Sequence, residues 1–152
     1  MTKSTEEAPQ NTAFATLRFR GDRLDPDRIT AILGVAPTRA YRRGERYFAG
    51  PRAGHVTGRT GVWVLATDSV VGGAELDRHL EHLVELVFRG PGGAKRLRQL
   101  HELMSRDRVE ADVSCFWRGG PGARPPVVPR DLISKLDQLP AEIETDFEVN
   151  DV

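Results

Sequence analysis

The chain has 152 residues, a length typical of one domain with a sizeable hydrophobic core. Its 22 Lys and Arg residues balance its 22 Asp and Glu residues, which excludes an overall charge that would attract nucleic acid or an anionic membrane. No stretch approaches the roughly 18 apolar residues of a membrane span, and a single cysteine, Cys115, excludes an internal disulfide. We therefore expect a cytoplasmic protein with no membrane partner.

The chain begins with a polar segment and continues into a strand. Residues 1–12 show no periodicity and no apolar run of a signal peptide, so we expect a disordered N-terminal tail. A single α+β domain is expected over residues 13–150. Its first strand starts at Ala13, where apolar and polar residues alternate as they do in a half-buried strand.

A short helix is predicted after this strand. Asp25 can accept hydrogen bonds from the free N–H groups of the first turn, Pro26 suits the first helical position, and Gly34 can end the helix in a left-handed conformation. Asp22, Asp25 and Asp27 could suggest a cation site. Capping and the preference of acids for the first turn explain at least two of them.

The next stretch, residues 37–61, concentrates positive charge and aromatic rings. It contains six arginines and one acid, Glu45, with three aromatic side chains between them. Loops longer than roughly 12–15 residues are uncommon in compact domains and are often functional, so we expect a long functional loop here. The strand that follows is apolar on both faces, and we expect the loop to cover one of them. The predicted binding residues are Arg39, Tyr41, Arg42, Arg43, Arg46, Tyr47, Arg59 and Trp63.

The second half of the chain predicts two helical segments, a third strand, a short helix and a last strand with alternating acids. We predict a ferredoxin-like α+β sandwich. Its four-stranded sheet would have the order 4-1-3-2, with helices on one face and a helical insert between strands 2 and 3. This order places Arg18 and Arg20 beside Glu110 and Asp112 on one side and beside the acids of the last strand on the other.

Several segments form a recognisable set: LDPDRITAILGVAPTRAYRRGE, GVWVL and ADVSCFW, then a C-terminal helix and an acidic alternating strand. Together they resemble the bacterial family catalogued as domain of unknown function 4279. The most specific part is the run from Leu33 to Arg39 that continues into Arg43-Gly44-Glu45, with Gly61-Val62-Trp63 as a second anchor. The resemblance extends from Ala15 to Val149 and implies a bacterial origin and a stand-alone domain. It implies no catalytic residue.

Other residues carry weaker indications of chemistry. Cys115 could be a nucleophile, but its place on the apolar face of a strand favours a small buried side chain. His79 and His82 lie three residues apart on a helix without a clustered Cys/His pattern, which favours solvated side chains. The glycines of residues 90–93 lack the preceding strand and the ending of a phosphate-binding loop. We predict no catalytic residue, no metal site and no cofactor.

Residues 37–61 support two interpretations. As a solvated loop, the stretch would pack some arginines on tyrosines and on Trp63. As a recognition surface, it would use the planar fork of arginine and the rigid ring of tyrosine to hold an anionic group. We favour a non-enzymatic binding module whose partner is an acidic protein or a small anion. Nucleic acid is not expected as a partner, since the strands lack the aromatic pattern of an RNA-recognition module.

Two other classes of function stay open. An immunity-type inhibitor would bind a basic toxin through the acidic C-terminal region, in which Lys135 is the single base. A small enzyme of unknown reaction would need convergent titratable groups, which the sequence does not identify. The seven acids of the C-terminal region are Asp131, Asp137, Glu142, Glu144, Asp146, Glu148 and Asp151.

Overall fold

The computed structural model describes residues 11–150, so the tail predicted for residues 1–12 lies almost entirely outside the described residues. Thr12, the last residue of that tail, is already the first residue of a strand. None of the helices within residues 11–150 is both long and apolar enough to cross a membrane. The elements of this part of the chain are, in order, β1 (Thr12–Gly21), α1 (Pro26–Leu33), β2 (Arg39–Tyr41), β3 (Arg46–Phe48), β4 (His55–Thr57), β5 (Gly61–Ala66), a 3₁₀ turn (Thr67–Ser69), α2 (Leu76–Phe88), α3 (Gly93–Asp107), β6 (Glu110–Gly119), α4 (Arg130–Asp137) and β7 (Glu142–Val149).

The main sheet has five strands in the order β2-β5-β1-β6-β7, and β3 and β4 form a separate two-stranded hairpin. The predicted four-stranded ferredoxin-like sandwich is therefore wrong. The four strands that the sequence predicts correspond to β1, β5, β6 and β7, and their observed order is 2-1-3-4 instead of 4-1-3-2. The prediction also omitted β2, which forms one edge of the sheet.

Two short connections explain the observed order. The chain leaves β6, passes through α4 and returns as β7, which pairs with β6 in parallel. This β-α-β unit places its two strands side by side, as sequential strands lie in roughly two-thirds of cases, so β7 joins β6 and not β1. At the other end, α1 leads into β2, and β5 then lies between β2 and β1 and is antiparallel to both. The first crossover, through α1, therefore leads from β1 to β2 and not to the apolar strand β5.

The pairing of β1 with β6 brings opposite charges together, as the sequence predicts for the third strand. Arg18 lies opposite Asp112 and Arg20 opposite Glu110. Arg18 Nη2 lies 2.9 Å from Asp112 Oδ2, and Arg20 Nη2 lies 3.3 Å from Glu110 Oε1. The predicted contact of these arginines with the acids of the last strand is wrong, because β6 separates β1 from β7.

Helix α1 begins and ends where its local sequence predicts. Asp25 Oδ1 accepts a hydrogen bond from the N–H of Asp27 at 3.1 Å, and Pro26 occupies the first helical position. Gly34 ends the helix with φ of 75°, a left-handed conformation that glycine adopts without steric cost. Local chemistry alone determines both ends of this helix.

The two faces of the sheet differ. Helices α1, α2 and α4 pack on the sheet, and α3 packs on α1 and α2. Strand residues that share the core with the helices are Ala13, Ala15, Leu17, Phe19, Trp63, Leu65, Val113, Cys115 and Trp117. The alternate residues define what we call the open face, and these are Phe14, Thr16, Arg18, Arg20, Val62, Val64, Asp112, Ser114, Phe116 and Arg118, with Glu142, Glu144, Asp146 and Glu148 on the edge strand β7.

A chain of hydrogen bonds inside the core involves His79, for which the sequence predicts a solvated side chain. His79 is buried, and its Nδ1 lies 2.6 Å from Thr67 Oγ1 while its Nε2 lies 2.9 Å from the carbonyl oxygen of Gly73. Thr67 Oγ1 also accepts from the N–H of Ala15 at 2.9 Å. With the proton on Nε2, every one of these groups has a partner, so His79 joins α2 to the sheet as a structural residue.

Candidate functional site

Residues 37–61, which we call the arginine arm, contain three short strands of three residues each. Strand β2 extends the sheet beside β5, and the β3–β4 hairpin continues from it. The prediction of one long loop is therefore wrong, because three strands interrupt this stretch. The carboxylate of Glu45 orders the turn after β2, because its Oε1 accepts from the N–H of Arg42 at 2.8 Å.

The hairpin is held against β2 by two stacked tyrosines. The rings of Tyr41 and Tyr47 lie 3.9 Å apart and almost parallel, with an angle of 5° between their planes. Gly58 allows this arrangement, since a Cβ atom at that position would lie 2.7 Å from Cδ1 of Tyr41. Burial, and then a hydrogen bond with Tyr47, raise the pKa of Tyr41 above its usual value. Tyr41 therefore stays neutral at physiological pH, and the stacked pair forms an aromatic surface.

Arg39 lies over this tyrosine pair. Its guanidinium carbon is 5.9 Å from the centroid of the Tyr47 ring, within the range of a cation–π contact. Arg39 is exposed, and it makes no ion pair with any residue in the described part of the chain. Its charge is therefore positioned by an aromatic ring and is not neutralised by a carboxylate.

Arg42 and Arg43 have a different environment. Arg42 Nη2 lies 2.7 Å from Asp25 Oδ1 and 3.0 Å from Asp27 Oδ2, and Arg43 Nη1 lies 3.3 Å from Asp22 Oδ2. The hydrogen bond to Asp27, and then the charge of Asp25, raise the pKa of Arg42. These contacts tie the arginine arm to the start of α1 and give the three aspartates their counterions. The structure thus brings together Arg39, Tyr41 and Tyr47, and it directs Arg42 and Arg43 toward aspartates.

The other three predicted binding residues are Arg46, Arg59 and Trp63. Arg46 and Arg59 are exposed and make no ion pair within residues 11–150. Arg46 follows the alternation of β3 and lies on the opposite face of the hairpin from Tyr47. Trp63 is fully buried on the core face of β5, where its Nε1 donates to Thr30 Oγ1 at 3.0 Å. The structure therefore does not bring Trp63 to the surface of the arginine arm.

Arg18 also belongs to this surface, although the sequence does not predict it as a binding residue. Arg18 on β1 and Arg39 on β2 both lie beside Val64, so the two arginines occupy the same row across the open face. The charges of both act to lower the pKa of Tyr41, against the larger effect of its burial. The register that aligns them depends on β2, and three residues of mixed character carry no periodic pattern that would reveal a strand.

Among residues 11–150, no group of three or more His, Cys, Asp or Glu side chains is arranged to hold a metal ion. The family model described as "Domain of unknown function (DUF4279)" matches residues 11–150. The chain belongs to this family. The resemblance seen in the sequence is thus confirmed, and neither a curated protein nor a solved structure matches the chain.

Cys115 of this DUF4279 chain lies in the core, as the alternation of its strand predicts. Burial raises the pKa of its thiol from 9.0 to about 11. Since the folded pKa lies above the unfolded value, the stability that this buried thiol contributes is present below the unfolded pKa and is lost as the pH rises through about 11.

We expect Cys115 to be unreactive in the folded protein at neutral pH, because the thiolate is the reactive form and the sulfur is shielded. Iodoacetamide labelling followed by mass spectrometry should proceed at the rate of unfolding under native conditions and rapidly in urea. Rapid labelling of the native protein would contradict this prediction and would make Cys115 a candidate nucleophile.

Proposed function

We propose that this chain is a non-enzymatic binding module whose arginine arm binds the carboxylate or another anionic group of its partner. The partner would be an acidic protein segment or a small anion. The observation that carries the proposal is Arg39, an exposed guanidinium that lies over the Tyr47 ring, 5.9 Å from its centroid, and has no carboxylate partner in the described part of the chain.

The stack on Tyr47 gives Arg39 two properties of a recognition residue. An arginine that is already held by an aromatic ring loses less conformational freedom when it binds. Its N–H donors stay available, because a cation–π contact uses the face of the guanidinium and leaves its edge free. A carboxylate or phosphate can accept two parallel hydrogen bonds from that edge.

Arg42 and Arg43, which form ion pairs with aspartates, differ from the unpaired arginines of the arm, and this difference supports the proposal. Arg42 and Arg43 contact three aspartates and so hold the arm in place, while Arg39, Arg46 and Arg59 are left without such partners in residues 11–150. The arm therefore combines anchored arginines with free ones. Order supplied by the first group reduces the entropic cost of binding through the second.

The proposal is tested with a fluorescein-labelled hexaglutamate peptide and with citrate as a small anion. We expect the triple substitution of Arg39, Arg46 and Arg59 to Ala to weaken peptide binding roughly tenfold or more at low salt, because exposed charges contribute more to association than to folding. Fluorescence anisotropy at low and high salt measures the peptide, and citrate competition measures the small anion.

A matched control removes the same charge elsewhere. Arg98, Arg124 and Arg130 are exposed and make no ion pair within residues 11–150, so their triple substitution to Ala has the same effect on net charge. It should leave binding almost unchanged. Equal weakening by both triple variants would show general charge attraction and would overturn the proposal.

The single substitution Arg39→Lys tests the planar guanidinium group of Arg39 separately from its positive charge. We expect it to weaken binding several-fold, since lysine keeps the charge but lacks the planar donor pair. Unchanged affinity would contradict a role for the guanidinium edge of Arg39 in binding.

A further inference from the structure

A cleft lies on the open face toward the opposite edge of the sheet from the arginine arm. Its volume is about 510 Å³, and it spans β1, β6 and the edge strand β7. It is lined by Phe14, Ser114, Cys115, Phe116, Glu144, Thr145 and Asp146. Nothing in the proposed function uses this cleft.

Two aromatic rings form the apolar part of the cleft. Phe14 and Phe116 are directly opposite each other on β1 and β6, and their stacked rings have centroids 4.9 Å apart. Both side chains are half-buried, although they lie on the face of the sheet away from the core. This partly exposed phenylalanine pair gives the cleft an aromatic border.

Two carboxylates lie beside the rings. Asp146 on β7 is the neighbour of Phe116, and Glu144 is the neighbour of Ser114. Neighbouring strands are about 4.8 Å apart, so these side chains adjoin the aromatic pair. Both carboxylates are exposed, and within residues 11–150 neither takes part in an ion pair.

The rows on either side of the cleft show what its carboxylates lack. In one flanking row Arg118 pairs with Glu148 at 3.4 Å. In the other, Arg18 pairs with Asp112 at 2.9 Å. The two rows between them hold acids, aromatic rings and hydroxyls but no cation among the described residues of β1, β6 and β7. The cleft is therefore the part of the open face at which the alternation of positive and negative charge is interrupted.

The protein itself contains an example of the missing contact. The guanidinium carbon of Arg118 lies 5.6 Å from the centroid of the Phe116 ring while its Nη2 is close to Glu148. A guanidinium on this face is thus held jointly by an aromatic ring and a carboxylate of β7. One row further along β7, Asp146 is the carboxylate beside Phe116.

We infer that this cleft binds a guanidinium or ammonium group, bordered by the rings of Phe14 and Phe116 and held by Glu144 and Asp146. Aromatic rings and carboxylates together select such groups, because the ring attracts the cation and the carboxylates accept its N–H donors. The site does not depend on the proposed function, since it lies at the opposite edge of the sheet from Arg39.

The inference is tested by titrating the protein with L-argininamide and, separately, with acetyl-Gly-Arg-Gly-amide, and following the backbone amide signals by NMR. We expect saturable shifts at Phe14, Phe116, Glu144 and Asp146. The double substitution Glu144→Gln and Asp146→Asn should weaken binding roughly tenfold. Because both side chains are exposed, this variant should keep its melting temperature.

Matched variants separate the site from general charge attraction. Glu81→Gln with Glu85→Gln makes the same charge change on the exposed side of α2 and should leave binding unchanged. Phe116→Leu keeps an apolar side chain but removes the ring, and we expect it to weaken binding several-fold.

The two ligands distinguish the possible sources of the cation. Saturable binding of the small amide alone assigns a free organic cation to the cleft, and tighter binding of the peptide assigns a basic side chain on a polypeptide. Shifts that do not saturate, or equal weakening by the α2 variant, would overturn the inference. The acids of β7 would then serve only to keep an edge strand from pairing with other chains.

Discussion

Trp63→Ala is expected to lower the free energy of unfolding by about 3–5 kcal/mol, the cost of removing a large aromatic side chain from a core. Trp63 is fully buried, and its ring contacts Phe19 edge to face with centroids 5.9 Å apart. Its indole Nε1 also donates to Thr30 on α1, so the side chain joins the central sheet to the first helix. Urea denaturation monitored by circular dichroism measures the loss.

Two controls accompany this prediction. Trp63→Phe keeps most of the apolar volume but loses the hydrogen bond to Thr30, and we expect a smaller loss of about 1–2 kcal/mol. Tyr47→Ala alters the surface of the arginine arm and should affect anion binding more than stability. If Trp63→Ala instead left the denaturation midpoint unchanged and abolished anion binding, Trp63 would belong to the binding surface.

Arg18→Met is expected to destabilise the fold by about 3 kcal/mol, because it leaves the carboxylate of Asp112 buried without its cation. The side chain of Asp112 is only 6% exposed, and Arg18 donates to its Oδ2 through Nε at 3.0 Å and Nη2 at 2.9 Å. Arg20 is close enough to compensate in part, since its Nε lies 3.9 Å from the same oxygen.

Arg118→Met on the same face is the matched control. Its partner Glu148 is 54% exposed, so water can solvate the carboxylate when the arginine is removed. We expect a loss of no more than about 1 kcal/mol. Thermal and urea unfolding of the two variants should therefore differ clearly. Equal losses would show that burial of Asp112 does not control the contribution of the pair.

The anchoring of the arginine arm bears on both interpretations of residues 37–61 that the sequence allowed. Arg39 lies over a tyrosine ring, as the solvated-loop interpretation expects, while Arg42 and Arg43 pair with aspartates near the start of α1, which neither interpretation predicted. An arm held in this way can present its remaining arginines without first becoming ordered. Stability measurements on Arg39 variants should consequently change little, whereas binding measurements should change strongly.

Local sequence determined several features of this DUF4279 chain correctly. Asp25, Pro26 and Gly34 specified both ends of α1, because capping depends on residues only a few positions apart. Alternation placed Cys115 in the core. Family membership also followed from contiguous segments, which a sequence comparison reads directly.

The tertiary structure decided what depends on contacts between distant residues. The three residues of β2 form a strand only because β5 supplies an edge to pair with, and no periodic pattern marks them. The predicted strand order was wrong because the prediction omitted β2 and did not anticipate the direct crossover from β6 to β7. Which arginines of the arm form ion pairs and which do not is likewise determined by tertiary contacts. Arg42 and Arg39 are alike in the sequence, and only the folded chain brings Asp25 to one of them and Tyr47 to the other.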